Sequence, residues 1–322
     1  MASADSKEVE IDLSPVLKVY KDGRVERLFG SPHVPPSLDD PITHVSSKDI
    51  TISPNVSARI YLPKIIEPNQ KLPILVYFHG GGFARESAFS FLDHRYINLL
   101  ASKAECLVVS VEYRLAPEHP LPACYEDCWA ALQWVASHVV VDDKYSDTGK
   151  EEWLVGYGNF DRIYMGGDSA GGNIVHNMAT RAGVESLFGG MKIFGAFLSY
   201  PYFWDKIKNQ ENDEEESLAY RLFMFVYPSA PGGINNPMIN PLADGAPKLS
   251  GLACSKWLVC TAEKDQLREI TLRYVDAVKK SGWKGELECV DVEGEDHCFH
   301  IFDPDTEKAK SLINRLASFI KN

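Results

Sequence analysis

The chain has 322 residues, 45% of them apolar and 11% aromatic, which supports a large core and excludes a disordered, fibrous or low-complexity protein. Its 45 acidic against 33 basic residues give a net charge of -12, a field that repels phosphate backbones and anionic membrane surfaces. Neither nucleic acid nor a membrane is an expected partner.

The N-terminus, Met1-Ala-Ser-Ala-Asp-Ser-Lys-Glu8, has no basic start followed by an apolar stretch, and no run reaches the roughly 18 apolar residues of a membrane span. A cytoplasmic location is the expectation. Polar and apolar positions then alternate (Ile11, Leu13, Val16, Leu17, Val19, Tyr20) before Ser31-Pro-His-Val-Pro-Pro36, too rich in proline for regular structure. This segment reads as an arm or lid. Residues 48–53 and 56–62 alternate on either side of Pro54-Asn55, as an antiparallel hairpin does, and the Asn55-Val56-Ser57 sequon reads as part of that turn. Residues 74–78, 106–111, 162–165, 193–198 and 257–260 are continuous apolar runs, the pattern of parallel strands buried on both faces.

Helical spacing recurs at 89–102, 125–137, 172–182, 266–281 and 306–321. Strand and helix alternate, which predicts an α/β fold with a mostly parallel sheet covered on both faces. One domain over 1–322 accounts for the chain. Residues from about 203 to 245 break the alternation: an acidic run at 211–217, the apolar Leu222-Phe-Met-Phe-Val-Tyr227, then a stretch rich in Pro, Gly and Asn. This reads as an insertion. The seven cysteines are scattered through apolar runs and read as free thiols. Cys124 and Cys128 lack a second Cys or His pair at ligand spacing, so no metal is expected.

The chemistry concentrates in two glycine motifs. Gly167-Asp-Ser-Ala-Gly-Gly172 lies between the strand at 162–165 and a predicted helix, where G-x-S-x-G forms a nucleophile elbow that exposes Ser169 above the sheet. Small residues also start helices for packing alone; the strand-to-helix context favours the elbow. His79-Gly-Gly-Gly-Phe83 follows the strand at 74–78 and is an oxyanion loop of the HGGG type. The expected oxyanion donors are the amides of Gly81, Gly82 and Ala170.

A serine nucleophile needs a base and an orienting acid, sought in the order Ser, Asp/Glu, His. Asp265 follows the strand at 256–261, and His297 lies in a polar loop after the strand at 286–292. These are the expected acid and base, with Glu263 and His300 as their competitors. Asp291 and Asp296 read as surface charge, and His119 and His176 as structural. No dinucleotide fingerprint is present, so no cofactor is expected.

On His79–Phe83, Tyr113-Arg-Leu-Ala-Pro-Glu-His119, Gly167–Asn173, Asp265 and His297-Cys-Phe-His300, the chain resembles the plant carboxylesterases of the hormone-sensitive-lipase type. The likeness covers almost its whole length and implies the α/β-hydrolase fold. It further implies that the arm, about 1–45, and the insertion, about 203–240, form a helical cap lining the acyl or alcohol pocket, and that the Tyr-Arg-Leu-Ala-Pro-Glu stretch orders the neighbouring strand and helix. Ala131–His138, Ala230–Pro241 and Ser281–Leu287 are similar to the 2-hydroxyisoflavanone-dehydratase-like group, especially its alkaloid cyclases. In that group the cyclases lack the triad histidine and the dehydratases carry threonine at the elbow. Ser169, Asp265 and His297 are all present here, which points to an active ester hydrolase on a small specialised metabolite, such as the methyl ester of an indole alkaloid with following decarboxylation. The alternatives are a non-hydrolytic cyclase or dehydratase and a small-molecule hormone receptor. The expected partner is a small-molecule ester or alkaloid, and the expected state a monomer or weak homodimer.

Overall fold

The computed structural model describes residues 8–64, 67, 70–139, 150–205 and 217–322. In its first half the elements are β1 (Val9–Leu13), β2 (Leu17–Tyr20), β3 (Val25–Arg27), β4 (Ser46–Ser53), β5 (Val56–Leu62), β6 (Leu72–Phe78), α1 (Phe91–Ala104), β7 (Leu107–Glu112), α2 (Ala123–Ser137) and α3 (Glu152–Tyr157). There follow β8 (Gly158–Asp168), α4 (Ala170–Ala182), β9 (Ile193–Ser199), α5 (Leu218–Val226), β10 (Lys256–Ala262), α6 (Arg268–Lys280), β11 (Glu286–Val292), α7 (Phe299–Phe302) and α8 (Glu307–Lys321).

The apolar runs become the middle of an eight-stranded sheet in the order β11-β10-β9-β8-β6-β7-β5-β4. Every pairing from β11 to β7 is parallel, while β5 runs antiparallel to β7 and β4. All seven residues of β6 are buried, as a strand covered on both faces must be. Alternate side chains feed opposite cores: Val76 and Phe78 pack with residues of α2 and α4 on one face, Leu75 and Tyr77 with residues of α1 and α8 on the other. After β6 the chain moves outward to β7 and then returns to lay β8 on the opposite side of β6, with Phe78 beside Gly167. The loops leaving these two strands diverge and open a crevice at their carboxyl ends.

The arm departs from the expectation of a helical cap. Residues 9–27 form a three-stranded antiparallel sheet, β1-β2-β3, which buries Leu13, Val16 and Leu17, and no helix occurs among the described residues of the arm. The physical cause is the alternation itself, with period two rather than 3.6. The cap helix α5 comes from the insertion alone, and the acidic run at 211–216 lies outside the described residues. Arg27 ties the arm to the body: its guanidinium donates to the carbonyls of Ala84 (2.7 Å) and Ala116 (3.2 Å) and pairs with Glu118 (2.7 Å).

Candidate active site

Ser169 sits between β8 and α4 at φ 52° and ψ −116°, a conformation that non-glycine residues avoid. Its amide donates to the Ser199 carbonyl and its own carbonyl accepts from the Tyr202 amide, both at 2.8 Å, so the turn is pinned on both sides. Small neighbours make it possible. A Cβ on Gly171 would lie 1.9 Å from the Phe78 carbonyl oxygen, and one on Gly167 2.4 Å from the Gly171 carbonyl carbon.

His297 reaches the serine from the loop after β11. Its Nε2 lies 2.9 Å from Ser169 Oγ, and its Nδ1 lies 2.8 Å from Asp265 Oδ2. The Asp265 side chain is fully buried, whereas the imidazole is one-third exposed. Asp265 Oδ1 accepts from the Leu267 amide at 2.9 Å, which fixes the carboxylate just past β10. An acid held on Nδ1 leaves Nε2 as the nitrogen able to take a proton from the serine.

The oxyanion loop runs beside this relay. Gly81 and Gly82 have φ of 100° and 63°, and among the described residues their amides donate to no protein acceptor. Ala170 opens α4, so its amide has no acceptor inside the helix. Tyr113 braces the loop by donating its hydroxyl to the His79 carbonyl (2.7 Å) and stacking on the His79 ring at 4.2 Å. The next residue, Arg114, pairs with Asp127 of α2 at 2.7 Å, and Tyr125 of α2 donates to Asn173 of α4 at 2.8 Å. The Tyr-Arg-Leu-Ala-Pro-Glu stretch thus couples the oxyanion loop to α2, which in turn is tied to α4.

The competing residues lie elsewhere. His300 is buried, meets Tyr96 edge-on at 5.0 Å, and neither of its ring nitrogens has a hydrogen-bond partner. Glu263 accepts from the Gly294 amide, Asp291 pairs with Arg268, and Asp296 accepts from the His297 amide. His119 is exposed, and His176 is packed against Phe203 and Tyr274. All seven cysteines are free, and no cluster of metal-ligating side chains occurs among the described residues. No helix among them is long and apolar enough to cross a membrane.

Burial holds His176 at about 3, neutral in the fold, with its Nδ1 3.0 Å from the Tyr274 hydroxyl. Once unfolded, the ring takes a proton near pH 6.5, so the unfolded chain binds more protons below that pH. The stability this ring contributes is therefore present above pH 6.5 and lost as pH falls towards 3. His176→Gln has no such proton to take up. The stability advantage of the wild type over His176→Gln is expected to shrink by about 1.4 kcal/mol per pH unit below 6.5, as read by urea unfolding at pH 7.5 and 5.5.

A cavity of about 220 Å³ lies over Ser169. Its lining includes Pro15 and Val16 of the arm, Leu218, Ala219 and Leu222 of the insertion, and Tyr202, Leu267 and Ile301 of the body. Leu222 lies directly on the oxyanion loop, since a Cβ on Gly82 would come within 2.5 Å of its Cδ2. Asp93 and Glu86, two carboxyl side chains of this wall, belong to no motif in the sequence and emerge only from the fold.

A family model for the alpha/beta hydrolase fold matches residues 75–301. A 2-hydroxyisoflavanone dehydratase of Glycyrrhiza echinata is 54% identical over 99% of this chain and 98% of its own. From Catharanthus roseus, Hydrolase 3 is 54% identical and tabersonine synthase 53% identical, each over the full length of both chains. Among solved structures, the esterase LipW of Mycobacterium marinum superposes with a TM-score of 0.69 at 25% identity, covering 86% of this chain and 81% of its own. Sequence and architecture therefore agree that the chain belongs to the α/β-hydrolase family, in its plant carboxylesterase-like branch.

Proposed function

We propose that the protein hydrolyses a carboxylic ester of a small specialised metabolite through an acyl-enzyme on Ser169. The observation that carries this reading is the unbroken relay from Ser169 Oγ through His297 to Asp265, at 2.9 and 2.8 Å. In the first step His297 Nε2 takes the serine proton while Oγ attacks the ester carbonyl, and Asp265 holds the imidazolium. The tetrahedral oxyanion accepts from the amides of Gly81, Gly82 and Ala170, an arrangement in which each donor contributes about 3 kcal/mol. His297 then gives its proton to the departing alcohol. A water deprotonated by the same ring releases the acid and restores the serine.

The finer form of the reading draws on the relatives. Likeness to tabersonine synthase supports an indole-alkaloid methyl ester as substrate. Hydrolysis beside an aldehyde or imine would leave an acid that loses carbon dioxide. The second reading, a cyclase or dehydratase using His297 as a base, is favoured by one observation: three relatives above 50% identity bear the names of a dehydratase and of two synthases.

Cleavage of an activated short-chain aryl ester by the wild type and by Ser169→Ala, with intact mass after phosphonate treatment, separates the two. The expected result is turnover and a single adduct in the wild type and neither in the variant. A wild type that neither turns over nor labels, or a Ser169→Ala that still converts a natural substrate, would move the non-hydrolytic reading to the front.

A further inference from the structure

The cavity over Ser169 carries carboxyl groups that ester hydrolysis does not use. Asp93, in the first turn of α1, lines the cavity although it is only 4% exposed. Its one hydrogen bond among the described residues comes from Ser90 Oγ to Oδ2 at 3.0 Å, which leaves Oδ1 without a protein partner. Asp168 lines the same wall and accepts from the Tyr77 hydroxyl (2.5 Å) and the Cys298 thiol (3.6 Å). A third carboxyl, Glu86, is held at φ 64° with its side chain nine-tenths buried, and its Oε1 has no hydrogen-bond partner.

Against these three stands one cation. The Arg85 guanidinium lies 3.6 Å from Glu86 Oε1 and 4.6 Å from the centre of the Phe29 ring. It pairs directly only with Glu86 and bears on Asp93 and Asp168 from further off, so that three buried carboxyls share one arginine, an arrangement that a buried site tolerates poorly. The groups facing Asp93 reinforce the imbalance: Asp168 at the end of β8, Glu86 before α1 and Glu112 at the end of β7 are acids, and Tyr61, Tyr77, Tyr96 and Tyr113 are neutral phenols. Burial and the nearby Asp168 push the Asp93 carboxyl well above the usual range, which favours its protonated form until a further cation approaches.

We propose that Asp93 is a specificity-determining residue that receives a protonated amine of the substrate while the ester is presented to Ser169. The inference rests on the hydrolytic reading above and names its substrate class: esters that carry a basic nitrogen. On binding, the Asp93 proton leaves to solvent and an ammonium N–H donates to the open Oδ1, adding a second cation to a wall of three acids and one arginine. A carboxylate in the same place would meet two acids and gain only Arg85. A neutral substituent would supply no charge.

The test compares two matched aryl esters, one with a tertiary amine and one with carbon in place of the nitrogen, alongside a plain aryl acetate. At pH 7.5 the wild type is expected to favour the amine about tenfold or more in kcat/KM, the size of one charged hydrogen bond. In Asp93→Asn, which keeps the shape and loses the charge, the ratio falls to near one. A wild-type ratio near one, a preference for the carbon isostere, or an unchanged ratio in a folded Asp93→Asn overturns the proposal. Should Asp93→Asn fail to fold, the wild-type ratio decides alone. Cleavage of the aryl acetate reports separately on the hydrolytic reading. If no ester is cleaved, calorimetric binding of the amine and its isostere to the wild type gives the same ratio and decides the role of Asp93 by the same criterion.

Discussion

Replacing His297 by alanine is expected to lower kcat on an activated aryl ester by about 10⁵-fold while leaving KM within a few fold. The imidazole takes the serine proton and returns it to the leaving alcohol, so its loss removes both transfers at once and leaves only binding and the oxyanion amides. Asp265→Asn should approach the same loss, about 10⁴-fold, because an amide on Nδ1 favours the tautomer that places a proton on Nε2, facing Ser169 Oγ. His300→Ala is the matched control. That ring is buried with no hydrogen bond to the relay, so its removal should lower the melting temperature and leave kcat within a few fold. Steady-state kinetics of the three variants check the assignment, and a His300→Ala as inactive as His297→Ala would defeat it.

A single methyl group at Gly171 should be as damaging as the loss of the base. Its Cβ would stand 1.9 Å from the Phe78 carbonyl oxygen and 2.9 Å from that of His79, and both neighbours are backbone that cannot rotate away. The close approach of α4 to the end of β6 is what sets the elbow beside the oxyanion loop, and Gly171→Ala forces the two apart. A loss of about 4 kcal/mol is expected, above the roughly 1–3 kcal/mol usual for overpacking because both clashes are with backbone. Gly251→Ala, with nothing within 4 Å of the added carbon, should stay within about 0.5 kcal/mol of the wild type. Urea unfolding midpoints of the two variants provide the measurement.

The central strands are legible in the sequence because burial on both faces writes itself as an unbroken apolar run, as in residues 74–78, all buried in β6. The meeting of Ser169, His297 and Asp265 is legible because glycine motifs and strand ends constrain where a nucleophile and its partners can stand. The arm misleads. Its family likeness implies helix, while its own alternation yields β1 to β3, and local period prevails over analogy. The short helices α3 and α7, of six and four residues, are below the length at which a helical period can be read. Asp93 is invisible for another reason. Read alone, it is an ordinary acid in the first turn of a helix, and it becomes a cavity residue only when the fold brings α1 and the end of β8 to one cavity wall.

The arm also divides the labour of the molecule in a way that bears on how such proteins diversify. The relay and the oxyanion loop hang from the ends of β6, β8, β10 and β11, whose register is locked by the ladders of the central sheet. Pro15 and Val16, by contrast, reach the cavity from a small sheet bound to the body through a few side chains such as Arg27. Substitutions in that sheet can recast what the chamber admits without touching the strands that carry the reaction. Selection can therefore explore new substrates along the arm while the chemical apparatus, built further along the chain, is inherited intact.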